Sequence, residues 1–151
     1  MSPIIGSAVP TADQTINGTA FQNITDLTFA VAINTDYAFK FYIVFRSATT
    51  TTGFRFAING PAGAVVDHFM TYQTIANNEL VGVATWLQKH SVTYDAMTAT
   101  TATITAEVNL VCMIEGRVKV GATAGTLAAR VASELANNDL VVQKGSWGFW
   151  F

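Results

Sequence analysis

In Tyr37-Ala-Phe-Lys-Phe-Tyr-Ile-Val-Phe-Arg46, the residues Tyr37, Phe39, Phe41, Ile43 and Phe45 recur every second position, while Lys40 and Arg46 fall between them. A period of two places successive side chains on opposite faces of an extended strand, so the aromatic set predicts a core face. The same period returns in Phe54, Phe56 and Ile58 after the Thr-rich run 47–53, and the two segments together read as a hairpin. Asn59-Gly-Pro-Ala-Gly63 predicts a turn, with Gly60 free to take positive φ and Pro61 fixing the next angle. A further strand is expected over 65–72. Between 77 and 95, Leu80, Val83, Trp86 and Leu87 match helical spacing, but the β-branched and glycine content favours strand or loop.

From 99 to 114 the pattern predicts one long strand. Thr101, Thr103 and Thr105 alternate with apolar neighbours, and the alternation is then lost in Leu110-Val-Cys-Met-Ile114. An unbroken apolar run of that length reads as a strand end buried on both faces. Shorter strands are expected over 117–120, 126–132, 140–144 and 147–151, with one or two more between 15 and 31. Eight to ten short strands without a long amphipathic helix predict an all-β, antiparallel β-sandwich or jelly roll. Residues 1–15 hold two of the three prolines and read as an extended N-terminal arm able to dock on a neighbour, leaving 16–151 as the sandwich domain.

Composition changes the picture in one direction. Half of the 151 residues are hydrophobic and 12% are charged, which leaves little charge to keep an isolated surface soluble and points to a homo-oligomer. Lys and Arg total 8, scattered singly against a net charge of −2, so neither nucleic acid nor an anionic membrane is an expected partner. The one cysteine, Cys112, sits in the most apolar run, where a thiol acts as a small hydrophobe. The N-terminus lacks the pattern of a signal peptide and no apolar run reaches the roughly 18 residues of a membrane span, so synthesis in a cytosol-like compartment is expected.

Candidate chemistry is sparse. His68 and His90 lack metal-ligand spacing, and Asp67 and His68, being adjacent, face opposite ways on a strand. Gly145-Ser-Trp-Gly148 superficially resembles a nucleophile elbow, but no helix follows it. Glu107, Glu115 and Glu134 sit beside apolar sequence, and Glu115 and Arg117 are placed to pair on one strand face or with their copies around a symmetry axis. Gly116, Gly121 and Gly125 do not have the spacing of a phosphate loop. No enzymatic role and no cofactor are expected. The Trp147, Phe149, Trp150, Phe151 cluster reads as core closure or subunit interface, with a sugar-stacking platform still open. Val108, Leu110, Cys112, Ile114, Trp147, Phe149 and Phe151 are the candidates for core or intersubunit packing.

The order Tyr37-x-Phe-x-Phe41, Phe45-Arg-Ser-Ala-Thr-Thr-Thr-Thr-Gly53, Phe56-Ala-Ile-Asn-Gly-Pro-Ala62, Glu115-Gly-Arg-Val118, Ala124-Gly-Thr-Leu127, Ser133-Glu134 and Lys144-Gly-Ser146 resembles small β-sandwich virion proteins of tailed bacteriophages. The resemblance covers residues 15–148, and its landmarks are strand edges and turns. It implies a jelly-roll-like module, often trimeric, located on the virion. The first expectation is a capsid decoration or cement protein whose partners are its own copies and the major capsid protein. One alternative is a tail-fibre or receptor-binding head that contacts the host through Thr49–Thr52 and 77–79. A small carbohydrate-binding domain is another.

Overall fold

Strand β4 (Asp36–Ser47) is the spine of the molecule, and its alternation is the one read from the sequence: Phe39, Phe41, Ile43 and Phe45 are buried, while Lys40, Tyr42 and Val44 lie on the other face. The computed structural model describes residues 6–75, 84–96, 98–99 and 106–151. Around β4 stand β1 (Gly6–Ala8), β2 (Gln14–Ile16), β6 (Val65–Ile75), β7 (Ala84–Ser91), β9 (Leu110–Lys119), β11 (Leu140–Val142) and β12 (Trp147–Trp150). They form a sheet of order β1-β12-β4-β9-β6-β7, with β11 joining β4 to β2. A smaller sheet, β3-β10-β5-β8, comprises β3 (Gln22–Val31), β10 (Gly125–Ser133), β5 (Phe54–Asn59) and β8 (Thr98–Ala99). Every pairing among the described strands is antiparallel. The protein is an all-β antiparallel sandwich.

Aromatic side chains close the space between the sheets. Phe45 packs edge-on against Phe54 at 4.4 Å and Phe56 at 5.0 Å, and Phe54 meets Tyr72 at 5.5 Å. At the other end Trp150 stacks on Phe29 at 4.2 Å. Burying each such ring stabilises the fold by roughly 1.5–3 kcal/mol, so this layer dominates cohesion.

β4 and β5, expected as a hairpin, are not hydrogen-bonded to each other; they lie in different sheets. Their aromatic faces meet across the core, and the Thr-rich connection is a crossover between layers. That connection is tied internally: the Ser47 hydroxyl donates to the carbonyls of Thr49 (3.0 Å) and Thr52 (3.2 Å), and Thr52 is fully buried. Positive φ in the following turn falls at Gly63 (+76°) and not at Gly60. The expected strand over 99–114 is also broken, because Ala106 and Glu107 form a turn, with Glu107 at φ 59°; residues 100–105 lie outside the described part. β9 then runs on through Gly116 and absorbs the strand expected at 117–120. A Cβ at Gly116 would stand 2.2 Å from the Asp67 carbonyl oxygen, so the missing side chain is what lets β6 lie close.

Four short strands, β1, β2, β11 and β12, hold the ends of the chain. The stretch expected as an arm is extended, and from Gly6 it is docked on its own chain: β1 pairs with β12 and β2 with β11. β11 and β12 lie end to end along one edge of β4. Ser146 fills the break between them, its hydroxyl accepting from Val44 N–H at 2.9 Å and donating to the Val44 carbonyl at 3.3 Å. The free edge of β3 is closed by side chains. Gln14 accepts from Thr25 N–H at 2.7 Å and donates to the Asn23 carbonyl at 3.2 Å, and Asp26 (φ 64°) accepts from Thr11. Closing an edge in this way removes the unpaired backbone groups that recruit other strands.

Candidate functional site

The sequence candidates separate into two groups. Leu110, Cys112 and Ile114 are fully buried in the sandwich, and Val108 packs partly buried against it. The Cys112 thiol is pushed well above its ordinary pKa by that burial, consistent with a packing role. Trp147, Phe149 and Phe151 lie on the outer face of the large sheet. The run 110–114 is therefore not buried on both sides. Val111 and Met113 point outward and are half-buried by neighbouring strands, with no second layer over them among the described residues.

The outer face can be read row by row from the register. One row runs Trp147, Tyr42, Met113, Thr71, Gln88; the next runs Phe149, Lys40, Glu115, Phe69, His90. A third carries Ala38, Arg117 and Asp67, with Phe151 at its end through paired backbone hydrogen bonds to Ala38 of 2.9 and 3.1 Å. Aromatic rings form a ladder along β12: Tyr42 stacks on Trp147 at 5.3 Å, Trp147 on Phe149 at 5.7 Å and Phe149 on Phe151 at 6.2 Å, all within 15° of parallel. Trp147 remains 37% exposed, Phe151 50% and, across the sheet, Phe69 53%.

Charges on this face pair across strands, Lys40 with Glu115 (3.2 Å) and Arg117 with Asp36 (3.7 Å), and His90 Nε2 lies within hydrogen-bond distance of the Asp67 carboxylate (2.6 Å). The expected Glu115–Arg117 pair is not formed, because each finds a partner on β4. One shallow, open depression lies between Lys40, Glu115, Arg117 and the rings of Phe149 and Phe151, and another among Asp36, Val65, Asp67, Arg117 and Lys119. The remaining carboxylates serve structure: Glu107 pairs with Arg46 at 3.2 Å, and Glu134 accepts from Gly53 N–H at 2.7 Å.

Neither histidine belongs to a group of three or more His, Cys, Asp or Glu side chains able to hold a metal ion among the described residues. His68 is buried on the inner face, where its Nδ1 has no hydrogen-bond partner. Burial first, then His90, holds its imidazole below the ordinary value of 6.5; Asp67 opposes this and Lys89 adds to it. The Ser146 hydroxyl is fully buried and committed to Val44, so its role is to bridge a break in the sheet. Of the loops expected to contact a host, Thr49 and Thr52 bond to one another at 2.7 Å, and 77–79 lie outside the described residues.

A second cluster, which sequence reasoning missed, covers the small sheet. Arg130 donates to both carboxylate oxygens of Asp95 at 2.7 Å and to the Phe21 carbonyl at 2.7 Å, and Asn59 donates to Asp95 at 2.7 Å. The guanidinium groups of Arg55 and Arg130 lie 5.8 and 5.7 Å from the centre of the Phe21 ring. The partners are 35 to 109 residues apart, so no local pattern signals them.

No protein-family model matches the chain, and no curated protein does. Among solved structures, a chain from the structure of infectious bursal disease virus Gx strain aligns at 10% identity and a TM-score of 0.23, covering 97% of this chain and 38% of that one. A likeness at that level bears on neither function nor assembly.

Proposed function

We propose that this chain is a structural, non-catalytic protein of a virion: a capsid decoration or cement protein of a tailed bacteriophage, acting as an oligomer with the major capsid protein as its partner. The observation that carries this reading is the outer face of the large sheet. There a rigid strand framework holds Tyr42, Trp147, Phe149, Phe151 and Phe69 in fixed register at the surface, partly uncovered within the chain. Aromatic groups presented on a rigid scaffold are the usual anchors of protein–protein contact. A cement protein works by many modest contacts acting together, a use that suits a broad face of aromatic rings interleaved with charged pairs. The resemblance of the sequence landmarks to phage sandwich proteins supports the same reading.

The test is the copy number of this chain relative to the major capsid protein in purified particles, by quantitative mass spectrometry. A ratio near that of the capsid protein is expected. A few copies per particle would move the chain to a tail or fibre, and absence from the particle would overturn the virion role.

A further inference from the structure

We propose that the Asn17-Gly18 pair is a site of spontaneous covalent modification: the backbone nitrogen of Gly18 closes on the Asn17 side-chain amide to form a cyclic imide, which water opens to isoaspartate or aspartate. Asparagine is among the thermally labile residues, and closure is easiest before glycine, which puts no side chain in the way of the ring. The chain holds two Asn-Gly pairs, at 17–18 and 59–60. The fold treats them in opposite ways.

Asn17 and Gly18 lie in the irregular connection between β2 and β3, with Asn17 exposed. The connection is held by its carbonyls: that of Asn17 accepts from Asn137 N–H at 2.9 Å, that of Gly18 from Ser133 N–H at 2.9 Å, and that of Thr19 from Arg55. Among the described residues nothing bonds the Asn17 side-chain amide or the Gly18 N–H, the two groups that must meet. A Cβ at Gly18 would find nothing within 4 Å, so the ring has room to form.

At the second pair both residues are restrained. Asn59 is paired in β5 with Ala128 of β10, and its side-chain nitrogen donates to Asp95 at 2.7 Å. Gly60 is backed by the Tyr94 hydroxyl, 2.5 Å from where a Cβ would stand. Intramolecular attack depends steeply on alignment, a misplacement of about 1 Å costing on the order of 100-fold. Asn59 is therefore spared in the folded chain.

In the reaction the bond from Gly18 N to Asn17 Cγ forms, the Asn17 Cγ–Nδ2 bond breaks, and the Gly18 proton leaves with the amide nitrogen as ammonia. Water then adds across either imide C–N bond, and no oxidant or reductant is needed. Opening at Cγ gives aspartate. Opening at the former main-chain carbonyl gives isoaspartate, which inserts a methylene into the main chain and turns the carbonyl that Asn137 N–H donates to into a pendant carboxylate. That hydrogen bond lies beside the pairing of β2 with β11, so isoaspartate loosens the tie between the two ends of the chain.

Peptide mapping by mass spectrometry tests this on the full folded chain, held warm at mildly acidic and mildly alkaline pH. Asn17 is expected to gain the mass difference between a hydroxyl and an amino group, faster at the higher pH because the Gly18 nitrogen attacks once deprotonated, while Asn59 stays an amide. Enzymatic methylation of the new carboxylate identifies the isoaspartate. In strong denaturant the two pairs are expected to react at similar rates. Gly18→Ala, which the open space there accommodates, is expected to slow Asn17 by on the order of tenfold or more with the melting temperature unchanged. Asn17 and Asn59 persisting equally or reacting equally in the folded chain overturns the proposal, as does an Asn17 no faster in the wild type than in Gly18→Ala. A preference for Asn17 that survives in denaturant overturns the protection assigned to Asn59. None of these outcomes depends on whether the chain is found in particles.

Discussion

The two sheets of this sandwich treat their outer faces in opposite ways. On the small sheet the outward positions Ala57, Ala128 and Ala132 are almost fully buried. Small residues form a floor, and Arg55, Arg130 and Phe21 lie over it, pinned by Asp95, Asn59 and the Phe21 carbonyl. On the large sheet the outward positions mix aromatic rings (Tyr42, Phe69, Trp147, Phe149) with long charged side chains (Lys40, Glu115, Arg117), and the described residues lay nothing across them. One face is covered from within the chain; the other is left uncovered by the described residues. Covering surface locally takes a floor low enough to admit a lid, and the large sheet has aromatics where the small one has alanines.

The contrast can be broken most strongly by raising the floor. Ala132→Leu on the small sheet has no room beneath the Arg55 side of the lid and should cost about 2–3 kcal/mol, read as a fall of several degrees in melting temperature. Thr71→Leu on the open face should change monomer stability by less than about 0.5 kcal/mol. Equal effects would show that the faces do not differ. Next in size is Arg130→Ala, which strips both Asp95 and the Phe21 carbonyl of their guanidinium donor in a half-buried site and should cost about 2 kcal/mol in denaturant unfolding. Glu115→Ala, removing one member of an exposed pair, serves as its counterpart.

A smaller effect is gated by pH. His68 binds its proton less readily in the folded chain than in the unfolded one, because burial disfavours its charge. The unfolded state therefore binds more protons as pH falls through 6.5, and stability declines in that window until the folded imidazole is itself protonated. Melting temperatures at pH 7.5 and below 6 should differ more in the wild type than in His68→Leu; equal slopes would show that His68 makes no contribution. Smallest is Lys40→Ala, expected to cost under about 0.5 kcal/mol and to lose even that in high salt.

What could be read from the chain follows the range of the interactions. The β4 alternation was plain because burial on one face is written every second residue. The β4–β5 connection was misread because a short polar loop looks the same whether it turns back within a sheet or crosses between sheets; only the meeting of Phe45 with Phe54 distinguishes them. The run at 110–114 suggested double burial because sequence does not separate a side chain half-covered by its strand neighbours from one covered by another layer. The aromatic end was identified as a packing surface, yet Trp150 turned inward against Phe29 while Trp147 and Phe151 turned out. Alternation about Gly148 decides this. The Arg130–Asp95 clamp left no trace, since it joins isolated charges from distant segments.

The placement of β12 between β1 and β4 has a consequence for synthesis. The centre of the large sheet is laid down early, in residues 36–47, but one edge stays open until residues 140–150 have been made. A chain still on the ribosome carries β4 with its aromatic side chains and half of its hydrogen bonds unmet, and β1 has nothing to pair with. Non-local pairing of this kind is slow to form and exposed while it waits. A chain that lacks residues 140–150 is thus denied both the strands that close this edge of β4 and the aromatic ladder they carry.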